Sequence, residues 1–136
     1  DYVFPSLEIL DTRIFRKDEN TGKMRTVFDT ISDNAANAGV ISGVQKNDPQ
    51  KFDLRRVGSI VMRNNEVEET GLGAGVLNDP ITGIIWLVKR LSEYNQKISP
   101  GEIILSGSFI RPIEARKGDE FYADFGDFGF VECKFN

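Results

Sequence analysis

"LRRVGSIVMRNNEVEETGLGAGVLNDPITGIIWLVKRL", residues 54–91, decides the fold class. Its first part, residues 54–70, reads as a β-hairpin, with Asn64-Asn65 able to take the positive φ that a tight turn requires. Three glycines follow at alternate positions, Gly71, Gly73 and Gly75. Asp79 is then placed to cap a helix and Pro80 to occupy its first position. Ile81, Ile84, Ile85, Val88 and Leu91 recur at spacings of three and four, so that helix is expected to turn one apolar stripe to a core. A strand that ends a hairpin does not begin a βαβ unit, and the glycines fail the dinucleotide fingerprint as well. The position three beyond Gly73 is Val76, and no lysine follows to complete a phosphate loop. Two readings stand for Gly73 and Gly75: a structural loop, or a loop whose backbone lines a pocket for another ligand.

Working outward, residues 4–14 alternate Leu7 and Ile9 with Ser6 and Glu8 and read as a strand. Residues 29–40 read as a helix of small residues, capped by Asp29 and stopped at Gly39. Residues 47–53 form a polar loop, and residues 102–108, 111–115, 120–125 and 130–135 read as short strands. The sum is α+β: one domain over residues 1–136, a mixed sheet assembly with two helices.

Composition excludes several function classes. With 17 basic against 21 acidic residues the net charge is -4, so neither nucleic acid nor an anionic membrane surface is an expected partner. The longest apolar run, residues 83–88, is far too short to span a bilayer. One cysteine, Cys133, fits a reducing, cytoplasmic setting, and its alternation with charged residues points its thiol at the core. The chain has no histidine, which removes Ser-His and Cys-His nucleophile pairs and imidazole metal ligands. Any chemistry must use carboxylates, hydroxyls, lysines, backbone amides or a hard metal ion.

Glu8 lies in a strand of apolar neighbours, as an outward-facing residue or as a ligand to Mg²⁺ or Mn²⁺, which prefer carboxylate oxygens. One glutamate does not make a metal site. Ser106 and Ser108 follow an apolar strand, where hydroxyls and free amides can bind a carboxylate; a plain turn is the alternative. Asn34 sits in the helical reading of residues 29–40, either as a substrate-binding residue or as part of a cap or a helix–helix hydrogen bond.

Motifs in series sharpen these readings. "FPSLEILDTRI", "DTISDNAANAG", "TGLGAGVLNDP" and "PGEIILSGSFIRPIEARKGDEFYADFGDFGFVECKF" together resemble the hydratase/decarboxylase branch of the fumarylacetoacetate hydrolase superfamily, over essentially the whole chain. The resemblance implies a mixed β-sandwich roll with flanking helices and a divalent metal, Mg²⁺ or Mn²⁺, held by three carboxylates. Glu8 corresponds to the third of these. The other two, in an E-x-E pair, and a catalytic lysine are expected upstream, and no residues of this chain match them. "EVEET" at residues 66–70 has the letters but lies on the hairpin. The sequence therefore resembles a C-terminal half, which leads us to expect a part of a longer or split enzyme.

Within the branch, "DNAANAG" (with Ala36 where hydratases carry a hydroxyl) and "LSGSFIRP" resemble decarboxylases, Ile110 replacing the usual threonine. The implied activity is metal-dependent decarboxylation of 2-oxo-3-hexenedioate to 2-oxopent-4-enoate in aromatic meta-cleavage degradation. The alternatives are 2-oxopent-4-enoate hydration and an inactive structural piece. The resemblance places Ser108 at the substrate and leaves Arg111 either to clamp a second carboxylate or to sit at the surface. It also implies a homo-oligomer, pairing with a cognate hydratase and a small 2-oxo acid as substrate.

Overall fold

A computed structural model describes residues 1–136. Six strands form two antiparallel sheets. β1 (Ser6–Leu10) pairs with β2 (Asn37–Ser42), and β3 (Gly58–Arg63), β4 (Glu66–Leu72), β5 (Glu120–Asp124) and β6 (Phe130–Lys134) run in the order β4-β3-β5-β6. Two helices complete the α+β assembly, α1 (Val27–Ser32) and α2 (Pro80–Ser92).

The core is one cross-strand row. Val61 pairs with Ala123, Ala123 pairs with Val131, and all three are almost completely buried beside Phe121. Leu7 and Ile41, partners across β1 and β2, pack onto that row, so the small sheet lies on the larger one. Strand alternation then sends Glu8, the next residue, to the outer face of the small sheet. Half-buried Cys133 packs against the same core, and burial pushes its thiol up, as a structural cysteine requires.

Local signals formed as expected where they are self-contained. Asn64 and Asn65 turn the β3–β4 hairpin with φ of 53° and 68°. The Asp79 carboxylate accepts the Ile81 amide at 2.9 Å, with Pro80 opening α2.

Three expectations are corrected. First, residues 29–40 are not one helix. α1 starts earlier, with Thr26 as cap and Asp29 closing a capping box, and it ends at Ser32. Residues from Asn37 onward are β2 instead, because they find hydrogen-bond partners on β1. Second, residues 102–108 and 111–115 are extended in sequence pattern but form no strand. Residues 103–109 make no backbone hydrogen bond in either direction, since no other segment of the chain pairs with them. Third, the α2 stripe is only partly covered: Ile81, Ile84 and Leu91 are half-buried, Ile85 and Val88 are 51% and 47% exposed, and only Pro80 of the helix is buried.

These open surfaces add up. The accessible surface is 10232 Å², whereas size scaling gives about 7,100 Å² for a folded monomer of 15.3 kDa. The excess is about 3,000 Å². No helix is long and apolar enough to cross a membrane. In the 136-residue chain, amides 103–109 should exchange hydrogen at nearly unstructured rates while those of β3 and β5 are protected. Equal protection of both sets would show that residues 103–109 have a partner within the chain.

A candidate metal and substrate site

The Glu8 region is built by a buried carboxylate. The Asp33 side chain is 2% exposed and accepts from the Arg13 Nε at 2.5 Å, the Arg13 amide at 3.1 Å and the Thr12 hydroxyl at 3.3 Å. Arg13 also reaches the Asp33 carbonyl at 2.6 Å. The guanidinium hydrogen bond is the main reason that Asp33 stays below the usual aspartate value, overcoming desolvation.

Beyond Asp33 the backbone does something a small-residue helix would not. Asn34, Ala35 and Ala36 take φ of 51°, 53° and 64°, three left-handed residues in succession. Such a conformation costs on the order of 1–2 kcal/mol per residue, and alanine has no side-chain device to offset it. The surroundings hold it: the Ala36 amide donates to the Asp33 carbonyl at 2.8 Å and the Ala36 carbonyl accepts the Asp11 amide at 2.9 Å. Emerging from this turn, Asn37 sits opposite Leu10 because a bulge between Ile9 and Leu10 shifts the register. Its Nδ2 donates to Glu8 Oε1 at 2.8 Å. The Asn34 side chain is exposed and makes no hydrogen bond.

The second region is the loop over residues 106–111. Ser108 Oγ accepts the Ile110 amide at 3.3 Å and donates to the Ile110 carbonyl at 3.0 Å, while the exposed Ser106 hydroxyl has no partner. Arg111 is 86% exposed, and its Nε and Nη2 both donate to Glu69 Oε1, at 3.0 and 2.8 Å. The glycines at the end of β4 let neighbouring backbone come close. A Cβ on Gly71 would collide with the Phe109 carbonyl, and one on Gly73 with the Leu54 carbonyl. At Gly75 the nearest atom to such a carbon would be Phe109 Cβ, at an ordinary 3.6 Å. Close approach is thus needed at Gly71 and Gly73, not at Gly75. No hydrogen bond links Glu8 to Ser106, Ser108 or Arg111.

A third polar region, around Arg63, Glu66, Glu68, Glu114, Arg116 and Asp119, carries more carboxylates than arginines. Arg63 pairs with Glu68, Arg116 with Glu114, and Asn64 bonds Asp119. No cluster of three metal-ligand residues exists in the chain. Glu68 and Glu69 of the hairpin are paired with arginines, whereas Glu8 has no cationic partner: its Oε1 accepts from a neutral amide and its Oε2 accepts no hydrogen bond, so its oxygens are free of the charge that would exclude a hard cation. Further oxygen ligands would have to come from outside this chain. Sequence reasoning missed Asp33, Asn37 and Glu69. For Asp33 and Glu69 the available signal was an arginine that needed a partner; for Asn37 it was an asparagine heading a strand.

No family model matches the sequence. Over 135 residues the chain is 50% identical to the 2-oxo-hept-4-ene-1,7-dioate hydratase of Escherichia coli, covering 99% of this chain and 51% of that protein. It is 29% identical to a 4-oxalocrotonate decarboxylase of Pseudomonas putida, covering 99% and 49%. The structure superposes on the 4-oxalocrotonate decarboxylase of Pseudomonas putida G7 complexed with magnesium and adipate with a TM-score of 0.89, 29% identity, and coverage of 100% of this chain and 49% of that one. The homologues of this chain are hydratases and decarboxylases, and it resembles their C-terminal half. The chain spans about half the length of the curated relatives it matches.

The Asp33 geometry has a measurable consequence. Because its native pKa lies below the usual 3.8, its pairing stabilises fully above that value and is lost as pH falls through the native one. Asp33→Asn should therefore flatten the acid limb of the melting temperature between about pH 5 and pH 2 relative to wild type. Parallel acid limbs for the two proteins would remove Asp33 from the stabilising network.

Proposed function

We propose that this chain is the C-terminal half of a divalent-metal-dependent lyase acting on an unsaturated 2-oxo dicarboxylic acid, and that its reaction is hydration. The observation that carries the choice is the 50% identity to the 2-oxo-hept-4-ene-1,7-dioate hydratase, against 29% to the decarboxylase. This reverses the preference drawn from Ala36 and the residue 106–112 motif alone. Decarboxylation stays as the second reading, favoured by the TM-score of 0.89 to a decarboxylase. Both readings take a diacid: a seven-carbon dioate names the hydratase, and the six-carbon diacid adipate accompanies the decarboxylase.

The magnesium in that neighbour supports Mg²⁺ as the cation here, with Mn²⁺ a hard-ion substitute. Such an ion, held in part by Glu8, would supply Lewis-acid polarisation of the substrate carbonyl. The chain's own contribution is positional. Glu8 supplies one ligand oxygen from the outer face of β1. Ser106, with a free hydroxyl, and Ser108, with backbone amides beside it, receive a substrate carboxylate. Arg111, whose fork already holds one carboxylate oxygen of Glu69, has the geometry to grip the distal carboxylate in its place. Asn34 lies on the strained turn that leads into Asn37 and contributes a free amide.

The full-length enzyme should consume the alkene of 2-oxo-hept-4-ene-1,7-dioate, followed by ultraviolet absorbance and proton NMR, without releasing CO₂. Release of CO₂ from 2-oxo-3-hexenedioate, with the seven-carbon dioate untouched, would overturn hydration in favour of the second reading. Arg111→Ala should raise KM for the diacid about tenfold or more, as loss of a charge-assisted pair implies, and leave a monoacid analogue unaffected.

A further inference from the structure

We propose that Asn37 is a positioning residue that fixes the Glu8 carboxylate for metal binding, and that the Asp33–Arg13 pair aims Asn37 by holding the left-handed turn. The inference rests on the reading of Glu8 as a metal ligand.

A glutamate on the open face of a strand has three free side-chain torsions, and a ligand oxygen that must meet a cation gains from having them fixed beforehand. Asn37 is suited to that task. Its Nδ2 donates to Oε1 at 2.8 Å, which sets the plane of the carboxylate and leaves Oε2 without a donor. A neutral amide does this without bringing a positive charge that would repel the cation, as lysine or arginine at the same place would.

The contact does not follow from ordinary strand pairing. The direct partner of Glu8 is Val40, and Asn37 lies three residues away along β2, opposite Leu10. It reaches Glu8 because the Ile9/Leu10 bulge and the left-handed turn of Asn34–Ala36 together set the direction of the chain at that point. A turn with three positive-φ residues, two of them alanine, persists only where its surroundings over-determine it. The surroundings are specific: the buried Asp33 carboxylate takes three donors from Thr12 and Arg13, and the Asp11 amide holds the Ala36 carbonyl. All of those donors lie on the segment that leaves β1. One network therefore locks the end of the strand carrying Glu8 to the turn carrying Asn37.

The test is Mg²⁺ binding to the full-length enzyme by isothermal titration calorimetry, with melting temperature as a control. Asn37→Ala and the similarly sized Asn37→Leu, which lacks the donor and adds no charge, should each weaken Mg²⁺ binding about 10- to 100-fold, the usual cost of losing a group that orients a ligand. The melting temperature should move little, and saturating Mg²⁺ should restore kcat, which a general structural defect would not allow. Asp33→Asn should weaken Mg²⁺ binding in the same direction while also lowering the melting temperature. Glu8→Gln is the reference variant. If Glu8→Gln loses Mg²⁺ and both Asn37 variants bind it like wild type, the positioning role is overturned and Glu8 stands as a ligand. If Glu8→Gln itself binds like wild type, the ligand assignment fails and the role of Asn37 falls with it.

Discussion

The buried Asp33 carboxylate constrains more of this structure than any other single group. A carboxylate so nearly removed from water must be paired, and its partners, Thr12 and Arg13, follow closely on β1. Meeting that requirement draws the chain after α1 against the end of β1. It makes the left-handed turn at Asn34–Ala36 sustainable and starts β2 in register with β1. Glu8, Asn37 and the outer face of the small sheet take their positions from it. The opposite face, through Leu7 and Ile41, is fixed by the apolar row Val61–Ala123–Val131. Polar pairing thus orders one side of the small sheet and apolar packing the other.

What the chain leaves open is as informative as what it buries. Part of the α2 stripe and the segment of residues 103–109, with its unpaired backbone, lie open, and so does the outer face around Glu8. Apolar area and peptide groups of this kind are stable in water only at a cost, and folded proteins normally cover them. The chain matches half the length of each of these relatives and exposes about 3,000 Å² beyond the expectation for its size.

Much of this was legible in the sequence wherever the signal was local. Asn64-Asn65, Asp79-Pro80 and the alternation in residues 120–125 and 130–135 each act through neighbours in the chain, and each formed close to its expected place. The alternation around Glu8 correctly separated Leu7, on the core, from the glutamate outside it. The failures are long-range. "DNAANAG" reads as a helix of small residues, and the left-handed alternative is held by the distant Asp11, Thr12 and Arg13. Residues 102–108 have strand periodicity, but a strand is defined by a partner, and the chain contains none for it. The motif around Arg111 points to a ligand, and pairing with Glu69, 42 positions away, is invisible to a motif.

Glu8, held by Asn37, is proposed as part of a divalent-metal site. Paramagnetic broadening by Mn²⁺ tests it most directly, with NMR signals of this half observed in the full-length enzyme during a substoichiometric titration. Signals of Glu8, Asn37 and their β1–β2 neighbours should broaden first and recover when excess Mg²⁺ is added. Broadening that begins instead at the carboxylates of Glu68, Glu114 and Asp119, with Glu8 and Asn37 unaffected, would contradict it.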